Sequence, residues 1–140
     1  PRGYRHLSAN MAGGIDLLFD THALIEIYES TRNKDRILEL LNKEKSYISS
    51  ATVSEITSWA IRSNLDHRSV LENLLAGFQI ISLTDEIAIY AGEIHAKYKK
   101  EQSDWGMVDS MIYACALSYG LTLVSGDPHF EGKPGTIFIE

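Results

Sequence analysis

A chain of 140 residues and 15.7 kDa has the length of one domain, and it is long enough to bury a hydrophobic core. Its 44% hydrophobic and 23% charged residues are average for a soluble globular protein. The apolar runs are too short and too often interrupted by polar residues to span a bilayer, so we expect no association with membranes. The single cysteine, Cys115, excludes an intramolecular disulfide; its place in an apolar run favours a buried thiol in a cytoplasmic protein.

The amino terminus "PRGYRHLSANMAGG" differs in character from the rest of the chain. It begins with proline and has no apolar segment, so we expect residues 1–13 to be a tail derived from a tag or vector, with Met11 as a candidate native start. The remaining residues, 14–140, are expected to form a single domain. Without Arg2 and Arg5 the net charge falls from 13 − 19 = −6 to 11 − 19 = −8. Such an acidic body disfavours broad electrostatic capture of nucleic acid.

The first half of the chain predicts strands that alternate with helices. The expected strands are "GIDLLFD" (14–20) and "SYIS" (46–49). Short helices are expected over 21–28 and 34–43. Two further helices have end signals: 52–64, with a capping box of Thr52 and Glu55, and 66–78, with Asp66 as N-cap and Gly77 as stop.

The second half continues the alternation. Strands are expected at "QIISL", "LTLVS" and "TIFIE" (79–83, 121–125 and 136–140). Thr84 is placed to cap a long helix that ends near Lys100, and a helix over 107–119 is followed by Gly120 as its C-cap. Strands separated by helices indicate an α/β fold with a mainly parallel sheet covered on both faces.

Four acidic residues fall where this topology places the carboxyl ends of strands, the edge at which such folds bind ligands. Asp20 ends the first strand, Glu55 lies in the first turn of the helix after the second strand, Asp109 lies in the first turn of the helix before "LTLVS", and Asp127 follows that strand. We therefore expect the four carboxylates to meet at one edge of the sheet.

Each of these residues also has a local structural explanation. Asp20 is a candidate helix cap, and Glu55 a partner in its capping box. Asp109 complements a helix macrodipole, and Asp127 is a turn residue before Pro128. The coincidence of four such residues at one edge favours a functional site over four separate local roles.

Clustered carboxylates repel one another, and a cation relieves the repulsion. Hard cations such as Mg²⁺ or Mn²⁺ prefer carboxylate and water oxygens. A bound ion of this kind lowers the pKa of a water molecule and stabilises in-line displacement at phosphorus, so the pattern favours phosphodiester hydrolysis.

Three segments carry a resemblance to a known family: "LLFDTHALI", "SSATVSEI" and "DSMIYACALSYGLTLVSGDPHF". Together they resemble the PIN-domain ribonucleases of the VapC type, the toxins of prokaryotic toxin–antitoxin pairs. The resemblance spans residues 15–140 and implies a three-layer α/β/α sandwich with about five strands. It also implies a Mg²⁺- or Mn²⁺-dependent endoribonuclease that cleaves RNA through a metal-activated water, together with an antitoxin partner and a homodimer.

The same resemblance assigns roles to individual residues. The catalytic acidic set falls on Asp20, Glu55, Asp109 and Asp127, and the metal ligands on Asp20, Asp109 and Asp127. Thr21 matches a small hydroxyl residue that hydrogen-bonds a metal-bound water and faces the substrate. Asp104 lies five residues before Asp109 and is the second choice for the third acidic position.

The flanking histidines and the basic residues are less specific. His22 and His129 lack the paired spacing of a zinc site, so one of them faces substrate or both lie on the surface. The acidic body requires a local basic strip for RNA, and single-stranded or looped RNA suits such a surface. Candidates lie near the second helix and at the end of the long helix, where they equally complement its dipole: Arg32, Lys34, Arg36, Lys97, Lys99 and Lys100.

Other functions remain open at the level of the sequence. A catalytically inactive PIN-type module that binds RNA or protein is the main alternative, although it has no need for four repelling carboxylates. A different α/β hydrolase is disfavoured, because no "GxxxxGK" or "GxGxxG" follows the first strand. An apolar set on the middle helices serves either as core or as a docking face: Trp59, Ile61, Leu71, Leu74 and Leu75.

Overall fold

The computed structural model describes residues 15–42 and 45–139. The expected tail, Gly14, the end of the predicted second helix and Glu140 lie outside the described residues. Within the described ranges, five parallel strands form one sheet in the order β3-β2-β1-β4-β5. The strands are β1 Leu17–Phe19, β2 Ser46–Ser49, β3 Gln79–Ile81, β4 Thr122–Ser125 and β5 Thr136–Phe138.

Six α-helices and one short 3-10 helix complete the described part of the chain. They are α1 Thr21–Glu29, α2 Lys34–Leu40, α3 Ser50–Arg62, α4 His67–Leu75, α5 Asp85–Lys99, α6 Met107–Tyr119 and the 3-10 helix Pro128–Phe130. None of these helices is long and apolar enough to cross a bilayer.

The sheet separates two hydrophobic cores, and strand β1 contributes to both. Leu18 packs with the residues of α5 and α6, including Ile112, whereas Leu17 and Phe19 pack with those of α1 to α4. Successive side chains of a strand point to opposite faces, so this apolar run places one layer of helices on each side of the sheet. The expected three-layer α/β/α sandwich is confirmed.

Most predicted helix ends agree with the structure, but the capping box does not. The side chains of Asp66 and Thr84 cap α4 and α5, and Gly120 ends α6 in the left-handed conformation at φ 69°. Helix α3 instead begins at Ser50, where the Ser49 hydroxyl accepts the N–H of Ala51. The prediction for Thr52 was wrong because the chain turns directly from β2 into the helix, which places the cap three residues earlier.

Candidate active site

A cleft of about 200 Å³ opens at the carboxyl edge of the sheet. It lies where the chain connections diverge from β1 towards β2 on one side and β4 on the other, the usual place for a ligand in open parallel sheets. Its lining residues are Asp20, Thr21, His22, Ile25, Glu55, Asp109, Ile112 and Asp127. The four acidic residues singled out from the sequence therefore meet in one cleft, together with Thr21, and Asp104 is not among its lining residues.

Asp20 occupies the turn between β1 and α1 and is only 3% exposed. Its Oδ1 accepts the N–H of Ala23 at 2.9 Å, so the local role as helix cap exists alongside its place in the cleft. Its Oδ2 accepts a hydrogen bond from the hydroxyl of Ser125. Both oxygens are thereby held in fixed positions.

Ser125 ends β4 and connects two of the acidic residues. Its buried hydroxyl donates to Asp20 Oδ2 and accepts the backbone N–H of Asp127 at 2.9 Å. Our sequence reasoning missed this residue. The available signal was a small hydroxyl side chain at the end of a buried strand, two positions before an acidic residue of the candidate site.

Glu55 joins the cleft through a contact between α1 and α3. The hydroxyl of Thr21 donates to Glu55 Oε1 and lies 3.2 Å from the hydroxyl of Thr52. Because α3 begins at Ser50, Glu55 stands within the helix and its carboxylate is not engaged in a capping box. Thr21, which is itself in contact with Thr52, holds the orientation of Glu55 towards the cleft.

The electrostatics of the cleft favour a proton or a cation. Burial, as the largest cause, raises the pKa of Asp20 to about 7, despite the opposing hydrogen bonds from Ser125 and Ala23. Burial likewise raises the pKa of Asp109 to about 6, and repulsion by Asp127 and then by a second carboxylate across the cleft adds to the rise. Ionisation of either carboxyl group is therefore unfavourable in the folded protein.

His129 links Asp127 to Asp104 outside the cleft. Asp127 Oδ1 accepts the backbone N–H of His129 at 3.0 Å and lies 2.9 Å from its Nδ1. The other ring nitrogen, Nε2, lies 2.8 Å from Oδ2 of Asp104, whose side chain is 76% exposed. The contact with Asp104 is the largest cause that raises the pKa of His129, and the same contact lowers the pKa of Asp104.

The donor set fits a hard divalent cation. One ligand atom each of Asp109, Asp127 and His129 lies within 4.8 Å of the others, and two further carboxylates line the cleft beside one hydroxyl and one imidazole. Oxygen donors of this kind suit Mg²⁺ and Mn²⁺. His22 and His129 lie on different elements and do not form a paired zinc motif, in line with the sequence.

Comparison with solved structures supports the fold over nearly the whole chain. A toxin–antitoxin complex from Klebsiella pneumoniae is 27% identical at a TM-score of 0.72, and the match covers 86% of this chain and 95% of that chain. The DNA-bound VapBC of Salmonella typhimurium is 25% identical at a TM-score of 0.71, over 89% and 96%. VapC20 of Mycobacterium tuberculosis, described as a Sarcin-Ricin loop cleaving toxin, is 14% identical at a TM-score of 0.68, over 89% and 97%.

The family comparison gives the assignment. A search of curated proteins found no match. The family model described as the PIN domain matches residues 17–135, a range that contains strands β1 to β4 and all four acidic residues of the cleft. This match agrees with the fold expected from the three sequence motifs, and the chain belongs to the PIN domain family.

Proposed function

We propose that this protein is a metal-dependent endoribonuclease that hydrolyses RNA phosphodiester bonds in the acidic cleft. The observation that carries the proposal is the convergence of Asp20, Glu55, Asp109 and Asp127 from four separate segments on one cleft of about 200 Å³. Two of them have a raised pKa, which is an electrostatic cost that a purely structural role leaves uncompensated.

Asp20, Asp109 and Asp127 would hold Mg²⁺ or Mn²⁺. When bound, the ion would lower the pKa of a water molecule and offset the negative charge that develops at the phosphate. The protein supplies fixed ligand positions: Ser125 orients both Asp20 and Asp127, and His129 occupies Oδ1 of Asp127. Fixed ligands reduce the reorganisation needed when the substrate arrives.

Glu55 is placed for a different task in this proposal. Thr21 holds its Oε1, which leaves the rest of the carboxylate available to accept the proton released by the attacking water. Thr21 also lines the cleft; its hydroxyl proton is donated to Glu55, and a lone pair of its oxygen would accept a hydrogen bond from water or substrate. The assignment divides the acidic set into three metal ligands and one proton acceptor.

RNA would reach this acidic protein through the bound cation and local basic groups rather than through a favourable overall field. Single-stranded or looped RNA suits a small cleft because its bases and backbone are accessible. The basic groups at α2 and at the end of α5 remain the candidate contacts: Arg32, Lys34, Arg36, Lys97, Lys99 and Lys100.

We further propose that an antitoxin protein binds and inhibits this chain. The two similar structures with identities of 27% and 25% are a toxin–antitoxin complex and a VapBC assembly, respectively. An open groove along α3, lined in part by Val53, Thr57 and Ile61, offers an apolar surface for such a partner, and Ile61 is 53% exposed. We also propose a homodimer, which light scattering at several protein concentrations tests directly.

RNA cleavage by the purified chain tests the proposed function. We expect cleavage of single-stranded RNA with Mg²⁺ or Mn²⁺, none with EDTA, and a loss in Asp109→Asn and Glu55→Gln. Asp85→Asn is the matched control, because Asp85 is an exposed carboxylate on α5, away from the cleft. A wild-type protein that binds Mn²⁺ and RNA without cutting would instead support the inactive binding module.

A further inference from the structure

His22 is the basic side chain among the residues that line the acidic cleft. Its side chain is 51% exposed, so it stands at the mouth of the cleft rather than in its floor. The catalytic proposal assigns it no role. Its surroundings are nevertheless organised in a way that an ordinary surface histidine does not require.

Glu26, one helical turn after His22, is the centre of that organisation. It is buried, and its Oε1 accepts hydrogen bonds from the hydroxyl of Thr31 at 3.1 Å and from Nδ2 of Asn33 at 2.9 Å. Its Oε2 is buried and makes no hydrogen bond within the described part of the chain, and it lies 3.3 Å from Nδ1 of His22. A carboxylate fixed at one oxygen and aimed at an imidazole with the other constrains the ring.

Gly126 provides the space for this pair. A Cβ atom at position 126 would lie 2.7 Å from Glu26 Oε2 and 3.0 Å from His22 Nδ1. Its φ lies outside the left-handed region, so glycine is needed here for close approach rather than for an unusual backbone conformation. The β4 turn that carries Asp127 is therefore packed directly against the His22–Glu26 pair.

This geometry places Nδ1 of His22 against Glu26 and the chain at Gly126, which leaves Nε2 as the ring nitrogen free for a ligand. Because the carboxylate lies beside Nδ1, the proton of the neutral imidazole belongs on Nδ1, and Nε2 keeps its lone pair as an acceptor. We propose that His22 is a substrate-binding residue whose Nε2 accepts a hydrogen bond from a ribose 2′-hydroxyl of the RNA strand. Glu26 is its positioning residue. The inference rests on the proposed ribonuclease function and gives it a basis for selecting RNA over DNA.

The chemistry of the strand favours the 2′-hydroxyl as the donor. Non-bridging phosphate oxygens carry no proton and are repelled by a lone pair, whereas the 2′-hydroxyl is the one hydrogen-bond donor that the RNA backbone offers and DNA lacks. The nucleophile in the proposed reaction is water, so a substrate without one 2′-hydroxyl keeps every reacting group. Removing that hydroxyl therefore tests recognition and leaves the chemistry intact.

A series of single-stranded RNAs, each with a single 2′-deoxy nucleotide near the cleavage position, tests the contact. For the wild type, we expect the deoxy change at one position to lower kcat/KM about tenfold, mainly through KM, as for one lost hydrogen bond. For His22→Ala, we expect a similar loss of kcat/KM on the all-RNA substrate. We expect no further loss in this variant when the deoxy nucleotide is placed at the sensitive position. His95→Ala on α5 is the control and should behave as the wild type.

Glu26→Gln separates positioning from structural support. Gln retains the contacts of Oε1, and its amide would donate to Nδ1 of His22, which moves the ring proton to Nε2 and removes the acceptor. We expect the discrimination, which is the ratio of kcat/KM for the all-RNA substrate to that for the deoxy substrate, to be smaller in this variant than in the wild type. A Glu26→Gln protein with a lower melting temperature and unchanged discrimination would overturn the positioning role.

The remaining outcomes distinguish this inference from the proposed function. If the wild type never cleaves RNA with Mg²⁺ or Mn²⁺, the ribonuclease proposal itself fails. If the wild type cleaves and His22→Ala cleaves every substrate as the wild type does, His22 makes no contact with the strand and the ribonuclease proposal stands. If His22→Ala lowers kcat/KM by the same factor for the all-RNA substrate and for every deoxy substrate, His22 contacts another part of the strand and the 2′-hydroxyl assignment is overturned.

Discussion

Replacing Asp20 by asparagine should stabilise the protein at alkaline pH while it removes a proposed metal ligand. The folded state raises the pKa of this 3%-exposed carboxyl group from 3.8 to about 7, with burial as the largest cause. Each pH unit of that rise corresponds to about 1.4 kcal/mol, so the ionised group costs the folded state about 4 kcal/mol at pH 8. Asparagine carries no charge and avoids this cost.

The replacement also loses part of the local hydrogen bonding. Oδ1 of asparagine still accepts the N–H of Ala23, but its amide donates to Ser125, whose own hydroxyl proton then lacks an acceptor. That loss costs about 1–2 kcal/mol. The expected net gain in the free energy of unfolding is therefore about 2–3 kcal/mol at pH 8 without metal.

The stability difference between Asp20→Asn and the wild type should depend on pH. An acid with a raised folded pKa is destabilising above that pKa, and the penalty decreases as the pH falls towards the unfolded pKa of 3.8. At pH 5 the penalty in the wild type is about 2 kcal/mol, which the lost hydrogen bond offsets, so the two proteins should be nearly equal in stability.

Denaturant unfolding in EDTA at pH 8 and pH 5 measures both values. Asp85→Asn, at an exposed position in the first turn of α5, is the control and should lose about 0.5 kcal/mol through the helix dipole. Added Mn²⁺ should raise the stability of the wild type and leave Asp20→Asn unchanged. If Asp20→Asn is no more stable than the wild type at pH 8, or gains as much stability at pH 5, the ionised Asp20 does not carry the charge penalty calculated above.

Three further predictions concern residues around the cleft and in the core. Ser125→Ala should lower the free energy of unfolding by about 1–3 kcal/mol and the cleavage rate by more than about tenfold, because Asp20 and Asp127 lose their shared partner; full activity would contradict the bridging role. His129→Ala should weaken Mn²⁺ binding about tenfold by calorimetry, through loss of the contact to Asp127, and unchanged affinity would count against it. Burial raises the pKa of Cys115 to about 12, so alkylation at pH 8, followed by mass spectrometry, should be much slower in the native than in the denatured protein; equal rates would contradict the buried thiol.

The fold was accessible from the sequence because local and long-range signals agree. Short apolar runs separated by amphipathic helices indicated parallel strands, and Asp66, Thr84 and Gly120 marked helix ends through side-chain chemistry that acts within one turn. The predicted start of α3 was two residues too late, because Thr52 and Glu55 match the sequence pattern of a capping box although the helix begins at Ser50. Only the position at which β2 ends decides between the two starts.

The set of acidic residues was predictable, but the side chains that orient it were not. Parallel topology brings the residues after β1 and β4 to one edge, so Asp20 and Asp127 could be placed together from their sequence positions. The hydroxyl of Ser125 and the carboxylate of Glu26 act through contacts between distant segments, which no local pattern specifies. The sequence had ranked Asp109 ahead of Asp104, and the structure places Asp109, but not Asp104, among the residues that line the cleft.

A Mn²⁺ titration that follows RNA cleavage and melting temperature in one preparation tests whether the four carboxylates form a metal-dependent RNA-cleaving site. We expect both signals to rise with the same midpoint in the wild type. We also expect both to be lost in Asp109→Asn and retained in Asp85→Asn. Cleavage that persists in EDTA or in Asp109→Asn would show that the acidic cleft is not a metal-dependent site of cleavage.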